Sequence, residues 1–432
     1  METRDPQGAL DVGPSIPVDR DRAADILALH GVDGLIALQP YNVYYLTNTV
    51  PVLTAFNAEF PAFGVFGGTL RQTFYVGSAG SLWDMARDGR EIPDRIAFTG
   101  VANADDYIGA GANPLDVRPK PFTGGFAVSP TAPLSPTERL WRDLQDTYNS
   151  SAEPSREWAL VRAIREAGLE GRRIAVDDMR IPYLLGRIGY EGVTWVPGED
   201  IFRHIRLIKS DYEIDLLRQA QRATQHAVTA AARQLEPGMT YDQFRLAFDI
   251  ACATQGASSA FLLFGVAQGQ LPDGVVTRGR PYMVDSSARV RQYMGDFART
   301  ICVGEPSVEA MRRHRAQQIG RAEALDKIRP GVAWSTVEQT ARTAMIKAGM
   351  PEHVIAACYM HSVGLQHEDQ PWRLDSPFPM RQSFVCEPGM VMTLDLPYLE
   401  LGVGAGHNED MIRVTATGYE LLNDPIDPMI IV

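Results

Sequence analysis

The sequence has few cysteines, no membrane-length apolar run and no excess of positive charge. Its four cysteines form no CxxC pair, so neither a disulfide framework nor a zinc knuckle is predicted, and we expect reduced, buried thiols at Cys252, Cys302, Cys358 and Cys386. Without a membrane-spanning run or a signal-peptide pattern in METRDPQGAL, we expect a cytoplasmic protein with no membrane partner. The net charge of −12, with no basic stripe, argues against a nucleic-acid partner.

The chain's 432 residues exceed the length of one ordinary domain, so we expect two, at 1–205 and 206–432. The first half reads as a separate α/β domain in which helices and short buried strands alternate. Its predicted elements are a helix at Asp19–His30, a strand at Gly34–Leu38, a strand pair at Ala62–Gly67 and Gln72–Val76, a strand at Arg173–Val176 and a helix at Pro182–Tyr190.

An internal duplication organises the second half. One segment runs from Pro237-Gly238 to Gly256 and another from Pro330-Gly331 to Gly349, each nineteen residues from Pro to the final Gly. A long helical pattern precedes each segment, at Ser210–Gln234 and at Pro306–Lys327, and a short-strand region follows each. We therefore predict two pseudo-symmetric helix–helix–sheet halves that bring their acidic residues onto one shared, curved sheet.

Four carboxylates and one imidazole in these strand regions form a candidate metal site. The first region holds Asp285 and Asp296, eleven residues apart, and the second holds His361, Asp395 and Glu409. Most of them end or adjoin a short apolar run, which places them on strands or at strand ends. Such an oxygen-rich set can bind one or two divalent cations and leave positions open for water.

Several phrases around these residues resemble the creatinase / aminopeptidase P / methionine aminopeptidase superfamily, known as the pita-bread fold. They are Arg206-Leu207-Ile208-Lys209-Ser210 with Glu213-Ile214, Glu387-Pro388-Gly389-Met390-Val391, and Glu409-Asp410-Met411. The resemblance covers 206–432, whereas the first half agrees only in size and in 41–47, as in aminopeptidase P, prolidase and creatinase. It implies an α+β protein: a pita-bread catalytic domain with internal pseudo-two-fold duplication, preceded by a creatinase-like α/β domain.

The resemblance also implies a dinuclear metal site. Asp285 would chelate one ion, Asp296 and Glu409 would bridge both, and His361 and Asp395 would complete the other. The two divalent ions would be manganese, zinc, cobalt or iron.

Further expectations concern catalysis and assembly. His367, near the ligand His361, would act as a proton donor or oxyanion partner, and His407 would take part beside it. Members with two domains usually form homodimers, and the aperiodic segment from Gly109 to Pro136 is the candidate contact.

Several positions depart from the peptidase pattern of this family. No histidine occurs between His226 and His314, where peptidases carry a substrate-contacting one. Asp395 replaces a glutamate, Ala298 a hydroxyl residue, His407 another basic residue and Ser362 a glycine. The shorter Asp395 side chain and the missing hydroxyl at 298 both alter the surroundings of the ligands.

Two kinds of function therefore stay open. The first is metal-dependent hydrolysis of an amide-type C–N bond in a small polar substrate, nearest to an Xaa-Pro aminopeptidase or dipeptidase. The second is a non-peptidase activity. The six-residue step from His361 to His367 resembles dimethylsulfoniopropionate lyases, although Ser287 stands where they carry an acid, and a metal-free creatinase-like hydrolase is a further alternative. Without the upstream histidine, we expect slow turnover of Xaa-Pro oligopeptides and faster turnover of a dipeptide or a non-peptide molecule.

The remaining histidines have ordinary interpretations. We expect His226 and His314 to be solvated on helices, and His30, His204 and His353 to be polar or structural residues. Arg299 has two readings, a site residue or a structural ion-pair partner, and Trp372 has two, a pocket wall or a packed aromatic.

Overall fold

The computed structural model describes residues 15–87, 91–100, 125–266, 269–373 and 380–432. The chain separates into two compact units, Met1–Ile205 and Arg206–Val432. Most of the Gly109–Pro136 segment, from 109 to 124, lies outside the described residues. Within the described ranges, no helix combines the length and the apolar character that crossing a bilayer requires.

The first unit is a six-stranded mixed sheet with helices. Its helices are α1 (Arg20–His30), α2 (Pro40–Thr47), α3 (Ala79–Arg87), α4 (Pro136–Ser151), α5 (Arg156–Glu166), α6 (Arg180–Gly186) and α7 (Glu199–Arg206), the last reaching the boundary. Its strands are β1 (Gly34–Ala37), β2 (Ala62–Gly67), β3 (Gln72–Gly77), β4 (Arg95–Phe98), β5 (Arg173–Val176) and β6 (Thr194–Pro197), in the order β4-β3-β2-β1-β5-β6.

Local sequence explains several of these elements. The Asp19 side chain accepts the backbone N–H groups of Asp21 and Arg22 and begins α1, and Gly31 ends it with a positive φ of 64°. The β2–β3 pair is antiparallel, as predicted. The predicted helix at 182–190 is misplaced: Asp178 accepts the N–H of Arg180, so α6 starts earlier and ends at Gly186.

The second unit contains two helix pairs and several sheets. Its helices are α8 (Asp211–Ala232), α9 (Tyr241–Thr254), α10 (Val308–Leu325) and α11 (Trp334–Lys347). Its strands are β7 (Ser258–Gly265), β8 (Pro281–Val290), β9 (Tyr293–Met294), β10 (Phe297–Cys302), β11 (Tyr359–Ser362), β12 (Trp372–Arg373), β13 (Met380–Arg381), β14 (Val391–Asp395), β15 (Tyr398–Glu400), β16 (Gly404–Gly406), β17 (Met411–Val414), β18 (Tyr419–Leu421) and β19 (Met429–Ile431).

The order of these elements repeats. The pair α8–α9 precedes a sheet of order β19-β10-β8-β7, with β9 on β8, and the pair α10–α11 precedes a sheet of order β11-β14-β17-β18. Capping boxes at Ser210 and Thr240 fix the starts of α8 and α9. The prediction of one shared sheet is corrected here: the two sheets are separate ladders, linked by an isolated antiparallel bridge between Ala298 and Glu409.

Each half of the second unit has its own apolar core. The first core packs α8 and α9 on β7 and β8, where the rings of Phe244 and Phe264 stack with centroids 4.0 Å apart. The second packs α10 and α11 around the buried Trp334. Two predictions fail within these cores: His314 is buried on α10 rather than solvated, and Cys358 is half-buried while the other three cysteines are buried.

Candidate metal centre

The bridge between the two sheets gathers three of the predicted ligands. Asp285 on β8 lies opposite Ala298 on β10, and Ala298 also pairs with Glu409. Residues directly opposite in antiparallel strands project to the same face, and Asp296, two positions before Ala298, projects with them. The small side chain of Ala298, which the sequence marked as a departure, therefore lies between the carboxylates of Asp285 and Glu409.

The second sheet contributes the other two. His361 on β11 lies opposite Thr393 on β14, two positions before Asp395. The hydroxyl oxygen of Thr393 lies 2.9 Å from Nε2 of His361 and donates to Oδ1 of Asp395 at 3.3 Å. Sequence reasoning missed Thr393, although the two-residue period of a strand places it on the same face as Asp395.

The two sets meet around the His361 ring. Its Nε2 lies 3.6 Å from Oδ2 of Asp296, 3.5 Å from Oδ2 of Asp395 and 3.7 Å from Oε1 of Glu409. Its Nδ1 lies 3.0 Å from the backbone oxygen of His367. A carbonyl oxygen only accepts, so Nδ1 carries a proton, and a cation that replaced the proton on Nε2 would find that nitrogen facing the carboxylates.

Burial and mutual repulsion raise the pKa values of two of these carboxylates. Burial raises the pKa of Glu409 well above its usual value, and the carboxylates of Asp296, Asp395 and Asp285 raise it further. Burial followed by Asp296 does the same to the pKa of Asp285.

On the second sheet, the charge interactions of Asp395 and His361 outweigh the effect of burial on their pKa values. Burial alone would raise the pKa of Asp395, but His361 outweighs it and holds that pKa well below the usual range. Burial alone would lower the pKa of His361, but Asp395 and Asp296 raise it to about 9.

The residues present fit a cation. Among the described residues, Oδ1 of Asp285, Oδ1 of Asp296 and Oε1 of Glu409 find no hydrogen-bond partner, although all three atoms are buried. Leaving a buried charged acceptor unpaired costs more than the 1–3 kcal/mol typical of a neutral group. Three groups of side chains have ligand atoms within 4.8 Å of one another: Asp285, His407 and Glu409; His361, Asp395 and Glu409; and Asp296, His361 and His367.

The other two predicted catalytic histidines flank this cluster. The His367 side chain is 37% exposed, its Nε2 lies 3.1 Å from Oδ2 of Asp296, and its ring meets Phe261 edge-on. Burial lowers the pKa of His367, but Asp296 outweighs this and raises it. His407 is buried, with Nδ1 3.8 Å from Oδ2 of Asp285. Of the stretch that lacks an upstream histidine, residues 267 and 268 lie outside the described part of the chain.

Neighbouring polar side chains hold the ligand backbone in place. Arg299 donates to the backbone oxygens of Ala298 and Glu409 at 2.8 Å each and pairs with Asp410 at 2.6 Å. These contacts fit the structural reading of Arg299. Gln221 on α8 accepts the backbone N–H of Asp296 at 2.7 Å, a contact that no local pattern in the sequence indicates.

One positively charged side chain, that of Arg381, lies near the proposed ligands of the second sheet. Tyr359, opposite Asp395, is half-buried, and the guanidinium of Arg381 lies 3.9 Å from its ring centroid. Arg381 also pairs with Glu368, and its side chain is 38% exposed. Trp372 is half-buried on β12. Sequence reasoning missed Arg381, because its contacts are made by residues distant in sequence.

The histidines that the sequence predicted to be solvated, polar or structural do not belong to this cluster. His226 and His353 are exposed. In the first unit, Nε2 of His30 lies 3.0 Å from Nδ1 of His204.

Comparison with known proteins adds independent information. Residues 215–416 match the model of metallopeptidase family M24. A probable dipeptidase, PepE, of Mycobacterium tuberculosis strain H37Rv is 27% identical over 333 residues, which cover 75% of this chain and 84% of that protein. An Xaa-Pro dipeptidase of Pyrococcus horikoshii is 26% identical over 233 residues, covering 52% of this chain and 64% of that protein.

The fold is shared along nearly the whole chain. The crystal structure of a dipeptidase from Pyrococcus horikoshii OT3 superposes with a TM-score of 0.67 and 18% sequence identity, covering 96% of this chain and 99% of that one. The predicted fold class, a two-domain α+β pita-bread protein, is thereby confirmed.

Proposed function

We propose that the chain is a metal-dependent hydrolase that cleaves the amide C–N bond of short Xaa-Pro peptides, a proposal supported by the match of residues 215–416 to the model of metallopeptidase family M24. The observation that carries this proposal is the convergence of four carboxylates and one imidazole from two sheets, with buried oxygens that lack partners among the described residues. Relatives named dipeptidase and Xaa-Pro dipeptidase support it. We assign catalysis to the second unit and a creatinase/prolidase-like accessory role to the first.

The metal ligands we propose are Asp285, Asp296, His361, Asp395 and Glu409. When bound there, divalent cations polarise the scissile carbonyl and lower the pKa of the attacking water. The protein's own contribution is a set of buried ligands with fixed positions: the His367 carbonyl orients His361, and Arg299 fixes the Glu409 backbone.

His367 is the proposed proton donor to the leaving nitrogen. It is half-exposed, so a substrate can reach it, and it borders the ligand Asp296. That carboxylate favours the protonated ring, and a protonated imidazole can release its proton when the C–N bond breaks.

Arg381 supports a preference for dipeptides. Its partly exposed guanidinium lies against Tyr359, the residue opposite Asp395, so a cation stands near the proposed ligands. The free carboxylate of a dipeptide is close enough to its scissile bond to pair with such a cation, whereas a longer peptide carries its carboxylate farther away. This supports the expectation that dipeptides are turned over faster than oligopeptides.

The lyase reading receives no comparable support. The acid that those enzymes carry two positions after the first ligand is absent, and Ser287 there is buried, with a hydroxyl that has no partner among described residues. The similar proteins reported above are named as peptidases, which does not favour the alternative.

The finer properties of the enzyme also belong to the proposal. We propose two ions per chain, drawn from manganese, zinc, cobalt or iron, because oxygen-rich sites accept several of these metals. We further propose a homodimer in the cytoplasm. A fully active monomer by light scattering at micromolar concentration would refute the dimer.

One experiment tests the proposed function. Purified protein is analysed for bound metals, stripped with chelator, reloaded with one metal at a time and assayed on Ala-Pro, Ala-Ala and Ala-Pro-Ala. We expect metal-dependent cleavage of Ala-Pro, with kcat/KM highest for this dipeptide. Efficient cleavage of Ala-Pro-Ala near about 10⁵ M⁻¹s⁻¹ would favour an aminopeptidase, and no cleavage by metal-loaded protein would refute peptidase activity.

A further inference from the structure

His407 occupies a rigid, buried position beside the proposed ligands. Its backbone N–H donates to the hydroxyl of Thr300 at 3.2 Å, and that hydroxyl lies 3.4 Å from the His407 carbonyl. The preceding Gly406 leaves no free space, because a Cβ there would come within 2.4 Å of the Tyr398 ring. The His407 side chain is 3% exposed. The chain therefore delivers this imidazole to one place with little freedom to move.

Both nitrogens of this imidazole lack a hydrogen-bond partner among the described residues. A buried polar atom without a partner costs about 1–3 kcal/mol, so a ring with two such atoms needs a bound group to offset the cost. A neutral imidazole is the form in which histidine binds transition metals.

The distances bring His407 into range of a shared ion. Two ligand atoms that each lie about 2.1 Å from one ion are at most about 4.2 Å apart. Nδ1 of His407 lies 3.8 Å from Oδ2 of Asp285, inside that limit. Asp285, His407 and Glu409 each offer one ligand atom, and these three atoms lie within 4.8 Å of one another.

We propose that His407 is a metal ligand, and that Asp285, His407 and Glu409 hold one cation beside the site formed by His361, Asp395 and Glu409. This rests on the proposed function only in requiring a cation in the cluster. It assigns His407 to the metal, whereas the sequence predicted a catalytic role for it beside His367.

The assignment changes the chemistry of the first sheet's site. Carboxylates alone suit manganese, whereas an added imidazole nitrogen raises the affinity for cobalt and zinc. A permanently protonated side chain such as arginine cannot supply that nitrogen lone pair. The departure at 407 therefore predicts a preference for cobalt or zinc over manganese.

The test is cobalt binding to the metal-free full-length protein. Co²⁺ shifts the imidazole N–H protons of its ligands far outside the normal proton NMR range, and these signals vanish in D₂O. We expect two such signals at full loading, from His361 and His407. His407→Ala should remove one signal. It should also lower the affinity for one of the two ions by at least about 100-fold in calorimetry, more than the loss typical of mutations outside the ligand shell.

Three further variants control the result. His407→Asp keeps an oxygen ligand, so it should restore two-ion binding with only one shifted signal. His407→Arg should behave like His407→Ala, and it keeps a side chain there if the alanine variant is unstable. His226→Ala, at an exposed position on α8, should keep both signals.

Each outcome separates the proposals. One signal from the unmodified protein, or unchanged signals and affinities in His407→Ala, would overturn the assignment. Two signals without any Xaa-Pro cleavage would leave the ligand assignment standing and refute the proposed function. Failure of the unmodified protein to bind Co²⁺ would overturn both.

Discussion

Glu409 and Asp410 are neighbours in sequence, and both are buried, yet they lie in opposite electrostatic environments. Asp410 accepts hydrogen bonds from Arg299 and Arg321 at 2.6 Å each and from Asn423 at 2.9 Å. Burial would raise the pKa of Asp410, but the two arginines outweigh it and hold the pKa low. Glu409 faces three other carboxylates, and its pKa is raised.

The difference shows that the charge of its neighbours decides how burial affects a carboxylate. A buried acid surrounded by guanidinium groups is a completed ion pair, and removing one partner would leave an uncompensated buried charge. A buried acid surrounded by other acids needs a positive charge that the protein does not itself supply. In this chain the paired acid anchors the backbone, and the unpaired acid next to it is thereby held at the site.

The largest effect should come from removing charge on the unpaired side. We expect Asp296→Asn to lower kcat/KM on Ala-Pro by about 10³-fold or more, because losing a cation removes several kcal/mol of transition-state stabilisation. Metal content by elemental analysis should fall in parallel. His226→Ala is the control and should match the unmodified protein. Full activity with normal metal content in Asp296→Asn would show that Asp296 is not a ligand.

Next in size is a change on the paired side. Asp410→Asn leaves Arg299 buried without its counter-charge, and we expect a loss of about 3 kcal/mol in the free energy of unfolding. Denaturant unfolding should show this loss with and without metal. Asp424→Asn, which removes an exposed pair with Arg222, is the matched control and should change little. A loss seen only in metal-loaded protein would mean that Asp410 acts through the metal site.

The two histidines on either side of the six-residue step should separate metal binding from proton transfer. His361→Ala should lose metal and activity together. His367→Ala should keep nearly all its metal and lose about 10²-fold in kcat, the lower range for a general acid. Elemental analysis and initial rates on the same samples decide this. Equal metal loss in both variants would show that their roles are assigned wrongly.

The smallest effect concerns the metal-free protein. Glu409 has a raised pKa in the folded protein, so its ionised carboxylate lowers the free energy of unfolding at neutral pH. This destabilisation disappears as the pH falls below the pKa of Glu409 in the unfolded chain. We expect Glu409→Gln to raise the melting temperature of metal-free protein at pH 8 by a few degrees, with the gain shrinking towards acid. In metal-loaded protein the same change should lower the melting temperature. A pH-independent gain would disprove this electrostatic explanation.

The sequence was a good guide where a feature is local or follows a recognisable pattern. Helix α1, the β2–β3 pair and the long helix α8 lie close to their predicted places, and the pita-bread class is confirmed. The five predicted ligand side chains also come together, although their roles remain predictions. These features depend on capping residues, on strand alternation and on the spacing of the predicted ligands, all of which can be recognised in a single sequence.

What failed depends on tertiary packing. His314 has polar neighbours in sequence but is buried, because the face of α10 that carries it packs inward. The predicted shared sheet is instead two ladders, because among the described residues their strands are joined through the single bridge between Ala298 and Glu409. Thr393, Gln221 and Arg381 approach the ligands through strand pairing or long-range contacts, and no local signal marks Gln221 or Arg381.

The bridge between Ala298 and Glu409 also has a consequence for when the proposed ligands come together during folding. Arg299 and Glu409, which meet beside this bridge, are 110 residues apart in sequence. Bringing such distant residues together costs loop-closure entropy, so we expect this contact to form late in folding. A nascent chain that has made only the first repeat therefore presents Asp285 and Asp296 without His361, Asp395 and Glu409. With the proposed ligands, we expect tight cation binding only after the second repeat has folded, so that retained metal would report that both repeats have joined.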